Sequence, residues 1–304
     1  MCGIAGLYLK SSSMQPELGA HLAKMLRELR FRGPDSAGAA FYRAPAPDGY
    51  CKLSLYAGDG VDPAWSALGA AMAEHFGGVE PPIVRGGQAT FELPADALQA
   101  QQWLAAHHPE VRVLSAGSLI ETYKAAGSPV EFIERFALSE LDGTHALGHT
   151  RMATESRVST EHSHPFSTGL DLCLVHNGSL SNHNSLRRLL AREGIVFRTD
   201  CDSEVAAGYL TWRLALGDPL ERALERSMED LDGFFTFAVG TADGFAVLRD
   251  PIACKPAVMA ETDDWVAIAS EYRAIAVLPG AADAELWEPE PGRVYSWGTA
   301  VGVA

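Results

Sequence analysis

Cysteine stands at position 2 of this chain, and the apolar run Gly3–Leu9 (GIAGLYL) follows it directly. The run reads as a short buried strand that starts at the chain terminus. If Met1 is removed, Cys2 carries a thiol and a free α-amine on one carbon. That pair is a self-contained catalytic unit: the thiol is the nucleophile, and an α-amine of ordinary pKa about 7.7–8.0 is partly neutral near pH 7 and can take its proton. Lysine amines are about two units more basic, so few of them are free to act as a base.

The pattern downstream limits the architecture. Pro16–Arg30 reads as a helix, with Leu18, Leu22, Met25, Leu26 and Leu29 at helical spacing and Pro16 fitting its first turn. A glycine-rich loop, FRGPDSAG (Phe31–Gly38), and a strand-like AAFYR follow. From about Ala44 to Leu141 the character changes: Pro45, Pro47, Pro63, Pro81, Pro82 and Pro94 punctuate short elements such as the helical PAWSALGAAMAEHF and the strand-like VRVLSAG. This stretch reads as an insertion within one domain spanning 2–304. The remainder is dense in strand-like runs (THALGHTRMAT, LDLCLVHNG, GFFTFAVGT, GFAVLRD, AVMAE, WVAIAS), with helical stretches at about 182–193 and 203–228. Strands clustered without regular helix alternation favour an α+β fold of antiparallel sheets flanked by helices over a doubly wound parallel sheet.

Composition excludes several classes. There are 24 basic and 39 acidic side chains, a net charge of −15, which argues against nucleic acid or an anionic membrane as main partner. Five widely spaced cysteines (Cys2, Cys51, Cys173, Cys201, Cys254) without a C-x-x-C pair oppose a disulfide framework or structural zinc, and fit a reducing, cytoplasmic setting. No stretch approaches 18 apolar residues, and MCGIAGLYLK is too short for a signal segment. P-loop, G-x-G-x-x-G, H-E-x-x-H and G-x-S-x-G patterns are absent.

A thiol nucleophile that attacks an amide needs oxyanion donors and a grip on the charges of its substrate. VHNGSLSN (Val175–Asn182) offers Asn177 and Gly178, a side-chain amide beside a backbone N–H; as a bare pattern it is more commonly an Asn-Gly turn. GHTRMAT (Gly148–Thr154) places Arg151 near a strand end with Thr150 and Thr154 beside it. A guanidinium there suits a substrate carboxylate or a surface ion pair. In TDCDSEV (Thr199–Val205), Asp200 or Ser203 suits a helix cap while Asp202 is left to pair with an ammonium. FRGPDSAG supplies Arg32, Gly33, Asp35 and Ser36. HSHPF (His162, His164) lacks a third ligand at sensible spacing, so no metal is expected.

The order of these segments carries more than any one of them. CGI-AG at the terminus, then RGPDSAG, GHTR-AT, HNG-L-N and D-SE, resembles the class II glutamine amidotransferases, a branch of the N-terminal-nucleophile hydrolases. RDPIACKPAV (Arg249–Val258) followed by IASEYRAI (Ile268–Ile275) is similar to the closing pattern of that family. The resemblance implies a four-layer αββα sandwich of two antiparallel sheets that hydrolyses glutamine to glutamate and ammonia. It implies Cys2 as nucleophile with its own α-amine as base, and Asn177 and Gly178 as the oxyanion pair. Arg151 with Thr154 would hold the glutamine carboxylate, Asp202 its ammonium, and Arg32 would sit near the nucleophile and position it.

Two departures narrow the expectation. The gap from Asp35 to Arg151 is 151 − 35 = 116 residues, a long insertion that looks like the glutaminase domain of glutamate synthase. Met152 stands where glucosamine-6-phosphate synthases carry tryptophan. The chain runs 304 − 275 = 29 residues beyond Ile275, which leaves no room for a synthase barrel or another acceptor domain. The resemblance therefore implies an ammonia-producing subunit with a separately encoded acceptor. It is nearest to the stand-alone subunit of glutamate-synthase-like complexes, including the N-methylglutamate synthase type. Flavin and iron–sulfur cofactors belong to that partner, and none is expected on this chain. Three rivals stay open: a hydrolase of another amide, a self-contained glutaminase, and a catalytically silent glutamine-sensing subunit.

Overall fold

The computed structural model describes residues 2–59, 61, 64–153 and 157–298. In chain order the first elements are β1 (Gly3–Leu9), α1 (Leu18–Glu28), β2 (Ser36–Tyr42), β3 (Cys51–Tyr56), α2 (Trp65–Phe76), β4 (Ile83–Arg85), β5 (Gln88–Leu93) and α3 (Ala97–His107). Next come β6 (Arg112–Gly117), β7 (Ile120–Ala126), α4 (Pro129–Arg135), β8 (His145–Arg151), β9 (Cys173–Leu180), α5 (His183–Arg192), α6 (Asp202–Ala215) and α7 (Leu220–Asp230). The last are β10 (Gly233–Thr241), β11 (Gly244–Arg249), β12 (Val258–Glu261), β13 (Trp265–Ala269), α8 (Tyr272–Ile275), β14 (Glu285–Trp287) and β15 (Val294–Gly298).

Seven strands form one sheet in the order β14-β12-β13-β1-β8-β2-β7, and four form a second, β15-β11-β10-β9. Every pairing within them is antiparallel. Alternation along the strands builds the layers. In β1, Ala5, Leu7 and Leu9 face a core shared with α1, α4 and α8, while Ile4 turns the other way. Ile4, Ala40, Tyr42 and Leu147 of the first sheet meet Val175, Ala238, Phe245 and Val247 of the second. On its far face the second sheet buries Phe235, Phe237 and Val239 against α5, α6 and α7. Helix, sheet, sheet, helix is the resulting order, the αββα sandwich expected.

The terminal strand is not at an edge: β1 lies between β13 and β8. Residue 2 is thereby anchored by ladders on both sides of the strand that follows it. The helix expected over Pro16–Arg30 is α1, with Pro16 in a 3-10 turn just before it. The helical stretch read as 203–228 is instead two helices. Gly217, at φ 92°, and Pro219 break it between Ala215 and Leu220, because proline cannot continue a helix and glycine supplies the left-handed turn.

Residues 44–141 do two things. β4, β5, β3 and β6 make a third antiparallel sheet with its own core, where Leu53, Phe91 and Leu93 pack on Trp65, Leu68 and Leu104. β7 then pairs with β2, Ser36 opposite Ala126 and Tyr42 opposite Ile120. The outer edge of β7 would otherwise expose unpaired backbone. Side chains of the third sheet cover it: Thr122 N–H donates to Ser54 Oγ (3.0 Å) and Lys124 N–H to Gln88 Oε1 (3.2 Å). Among the described residues no helix is long and apolar enough to cross a membrane.

Candidate active site

Register brings the motif residues together. Gly3 pairs with Thr150 and Ser36 with Arg151, so Cys2, the end of β8 and the FRGPDSAG loop converge at one end of the first sheet. A Cβ on Gly33 would lie 2.2 Å from the carbonyl carbon of Thr150, so this loop approaches β8 more closely than any side chain permits. Asp35 closes the corner: its N–H donates to the Arg151 carbonyl (3.0 Å), and its carboxylate accepts the Ala153 N–H (2.8 Å).

Cys2 Sγ accepts the Met152 backbone N–H at 3.4 Å. Its carbonyl oxygen accepts from Arg32 Nε (2.9 Å) and from Asn177 Nδ2 (3.3 Å). Arg32 is otherwise engaged by Glu271, at 2.5 Å from Nη1. Ser270 ties the same corner to the end of β13: Ile4 N–H donates to Ser270 Oγ (2.9 Å), and Ser270 N–H donates back to the Ile4 carbonyl (3.0 Å).

Cys2, Arg151, Gly178 and Asp202 line one cleft of about 280 Å³, together with Met152, His164, His176 and His183. Arg151 is buried at the end of β8, and Asp202 opens α6, where a helix N-terminus favours a carboxylate. Asp202 accepts the Leu180 N–H (2.9 Å) and the Ser203 hydroxyl (3.2 Å), which fixes it on the β9 side of the cleft. Neither Asp200 nor Ser203 caps α6 through its side chain, contrary to the sequence expectation. Glu204 takes up the preceding turn instead, accepting Arg198 N–H (2.9 Å) and Thr199 N–H (2.8 Å). Ser203 goes to His176 Nδ1 (2.9 Å) and Asp200 to His162 Nε2 (2.9 Å).

Gly178 has no room for a side chain. A Cβ there would lie 2.0 Å from the Phe234 carbonyl oxygen and 2.5 Å from His176 Nε2. Thr154 lies outside the described residues.

Three buried imidazoles back the cleft: His149 and His176, which the sequence reading passed over, and His164, which it weighed only as a metal ligand. The rings of His149 and His164 meet at a tilt of 39° with centroids 4.1 Å apart, and His149 Nε2 lies 3.1 Å from Asn177 Oδ1. Burial pushes His149 down to about 3 and holds His164 and His176 below the ordinary histidine range, so all three are neutral at pH 7. Each sits inside or beside a quoted motif, yet a histidine in a motif carries no mark of burial. Ser270 and Glu271 were equally hidden within ASE. The third metal-type ligand missing from HSHPF is supplied by distant chain: ligand atoms of His162, Asp200 and Cys201 lie within 4.8 Å of one another. The positive charges of Arg151 and Lys124 act on Cys201 and oppose a further cation there.

Chemically, the cleft offers a thiol, backbone and amide N–H groups beside it, and on its walls one cation, Arg151, and two carboxylates, Asp202 and the His162-paired Asp200. That set suits a small zwitterion with a reactive carbonyl. Comparison with known proteins agrees. The glutamine amidotransferase domain family matches residues 149–277. The glutamine amidotransferase-like protein GlxB of Rhizobium meliloti is 52% identical over 300 residues, covering 98% of each chain. A relative from Methanothermobacter thermautotrophicus, described in the same amidotransferase terms, is 34% identical over 97% of this chain and 99% of its own. Among solved structures, the glutamine phosphoribosylpyrophosphate amidotransferase from B. subtilis superposes with a TM-score of 0.61 at 20% identity. It matches 99% of this chain, which spans 50% of that longer one.

Proposed function

The chain belongs to the class II glutamine amidotransferases, and on that premise we propose that it hydrolyses L-glutamine through a thioester on Cys2. The observation that carries the reading is the shared cleft of Cys2, Arg151, Gly178 and Asp202. Arg151 takes the α-carboxylate and Asp202 the α-ammonium, so the side-chain carboxamide is directed at the thiol.

With Met1 removed, the α-amine of Cys2 accepts the thiol proton. Sulfur attacks the carboxamide carbon, and the C=O π electrons move onto oxygen. Gly178 N–H and Asn177 Nδ2 stabilise that oxyanion. At rest both Nδ2 hydrogens are in use, on the Cys2 carbonyl and on Ser270 Oγ. The first can be released at little cost, because the carbonyl keeps Arg32. Arg32 thus acts through the nucleophile's own backbone. Met152 N–H donates to the sulfur at rest. The α-ammonium then protonates the departing nitrogen, the C–N bond breaks, and water cleaves the thioester to release glutamate and restore the thiol.

The ammonia goes, in this reading, to a separately encoded acceptor of the glutamate-synthase-like kind, with flavin and iron–sulfur cofactors on that partner. The long spacing between Asp35 and Arg151 supports the assignment. Intact mass before and after a glutamine analogue with an electrophilic side-chain end tests the core of the proposal. Loss of Met1 and one adduct, absent in Cys2→Ala, is expected. A mature chain that stays unlabelled both alone and with its acceptor subunit would remove Cys2 from the role.

A further inference from the structure

The Asn177 carboxamide is gripped at both ends. The Cys2 carbonyl can only accept, so the amide atom 3.3 Å from it is the donor Nδ2. Oδ1 then faces His149 Nε2 at 3.1 Å, and Oδ1 can only accept. His149 Nε2 must therefore carry hydrogen. Its Nδ1 is left as a bare lone pair, and that atom has no partner among the described residues. The ring is fully buried and packs at a tilt against His164.

We infer that His149 is a positioning residue: its Nε2–H anchors Asn177 Oδ1 and keeps the amide nitrogen, not oxygen, turned toward Cys2 when Nδ2 leaves the Cys2 carbonyl for the oxyanion. The inference rests on the reading of Asn177 as an oxyanion donor. A carboxamide turned end for end has nearly the same shape, so packing does not choose between the two. Ser270 does not enforce the choice. Ser270 Oγ accepts from Ile4 N–H, and its single hydrogen is free to turn toward an amide oxygen. The Cys2 carbonyl favours nitrogen only while Nδ2 rests on it, and that contact is the one given up to the oxyanion. Reversed, the amide would aim a lone pair at the forming oxyanion.

The test compares His149→Gln with His149→Asn in the full-length mature chain. Glutamine places an amide nitrogen about where Nε2 lies, and asparagine places it about where Nδ1 lies. The probe is glutamate γ-semialdehyde: the Cys2 α-amine takes the thiol proton, sulfur bonds to the carbonyl carbon, and the π electrons move onto oxygen, giving a tetrahedral mimic. Glutamate measures ground-state binding. His149→Asn should weaken the aldehyde about tenfold or more, within the 10²–10³ expected for losing a whole donor, with glutamate affinity unchanged. His149→Gln should restore most of the loss, an outcome that a merely structural role would not give. Equal behaviour of the two variants overturns the inference while leaving Cys2 in place. A wild-type chain that binds the aldehyde no better than glutamate overturns the nucleophile reading, and this inference with it.

Discussion

Arg32 and Glu271, 239 positions apart, are joined at 2.5 Å, and the same guanidinium holds the Cys2 carbonyl at 2.9 Å. One arginine therefore couples the tail of the chain to its first strand. Arg32→Met should lower kcat about tenfold or more at near-normal KM, and cost about 1.5–3 kcal/mol of stability, as lost charged hydrogen bonds do. Steady-state glutaminase assays and urea melts check both. A raised KM with unchanged kcat would make Arg32 a substrate contact instead.

Asp202→Asn keeps an acceptor for the Leu180 N–H and removes the charge. We expect KM for glutamine to rise about tenfold or more, with stability within about 1 kcal/mol of wild type. The deamino analogue of glutamine should be turned over equally by both proteins. A variant that still prefers glutamine would send the ammonium elsewhere.

Gly178→Ala forces a methyl against the Phe234 carbonyl and His176. The strand must shift at the oxyanion position, and kcat should fall by about 10²–10³, the value of one oxyanion donor. Near-normal turnover would show that the backbone N–H of residue 178 is not used.

Stability should decline as pH falls through the histidine range. His145 is held down at about 4 and His149 at about 3 by burial, so between those values and 6.5 the unfolded chain binds protons that the folded chain refuses. The sign follows: the contribution is intact above 6.5 and shrinks below it, by about 1.4 kcal/mol per pH unit for each such histidine. Urea midpoints measured from pH 7 to pH 5 should fall steadily. A flat profile would mean the imidazoles ionise in place.

The layers were legible because alternation in β1 and periodicity in α1 are local signals of which face is buried. Cys2, Arg151, Gly178 and Asp202 were legible because each sits at the head or end of a regular element, inside a patterned run. The break between α6 and α7 was also written in the chain, as Gly217-Asp218-Pro219, but apolar periodicity on both sides outweighed it. Pairing at long range left no such trace. Nothing in GHTRMAT says that His149 will meet Asn177, and nothing in ASE says that Ser270 will bond Ile4. A change of composition near Ala44 shows where regularity alters, yet not that β7 returns to β2.

That return has a practical meaning. Tyr42 and Ile120 face each other as the closing pair of an ordinary hairpin would, with the whole third sheet strung between them. Loop closure grows only with the logarithm of length, so the hairpin tolerates a very long excursion at small entropic cost. The excursion also works in reverse. Joining residues 42 and 120 by a short turn, and giving Glu121 a neutral replacement for its lost partners Lys52 and Arg43, should yield a trimmed chain with its nucleophile corner untouched. The same junction is a natural socket for grafting foreign domains onto the enzyme.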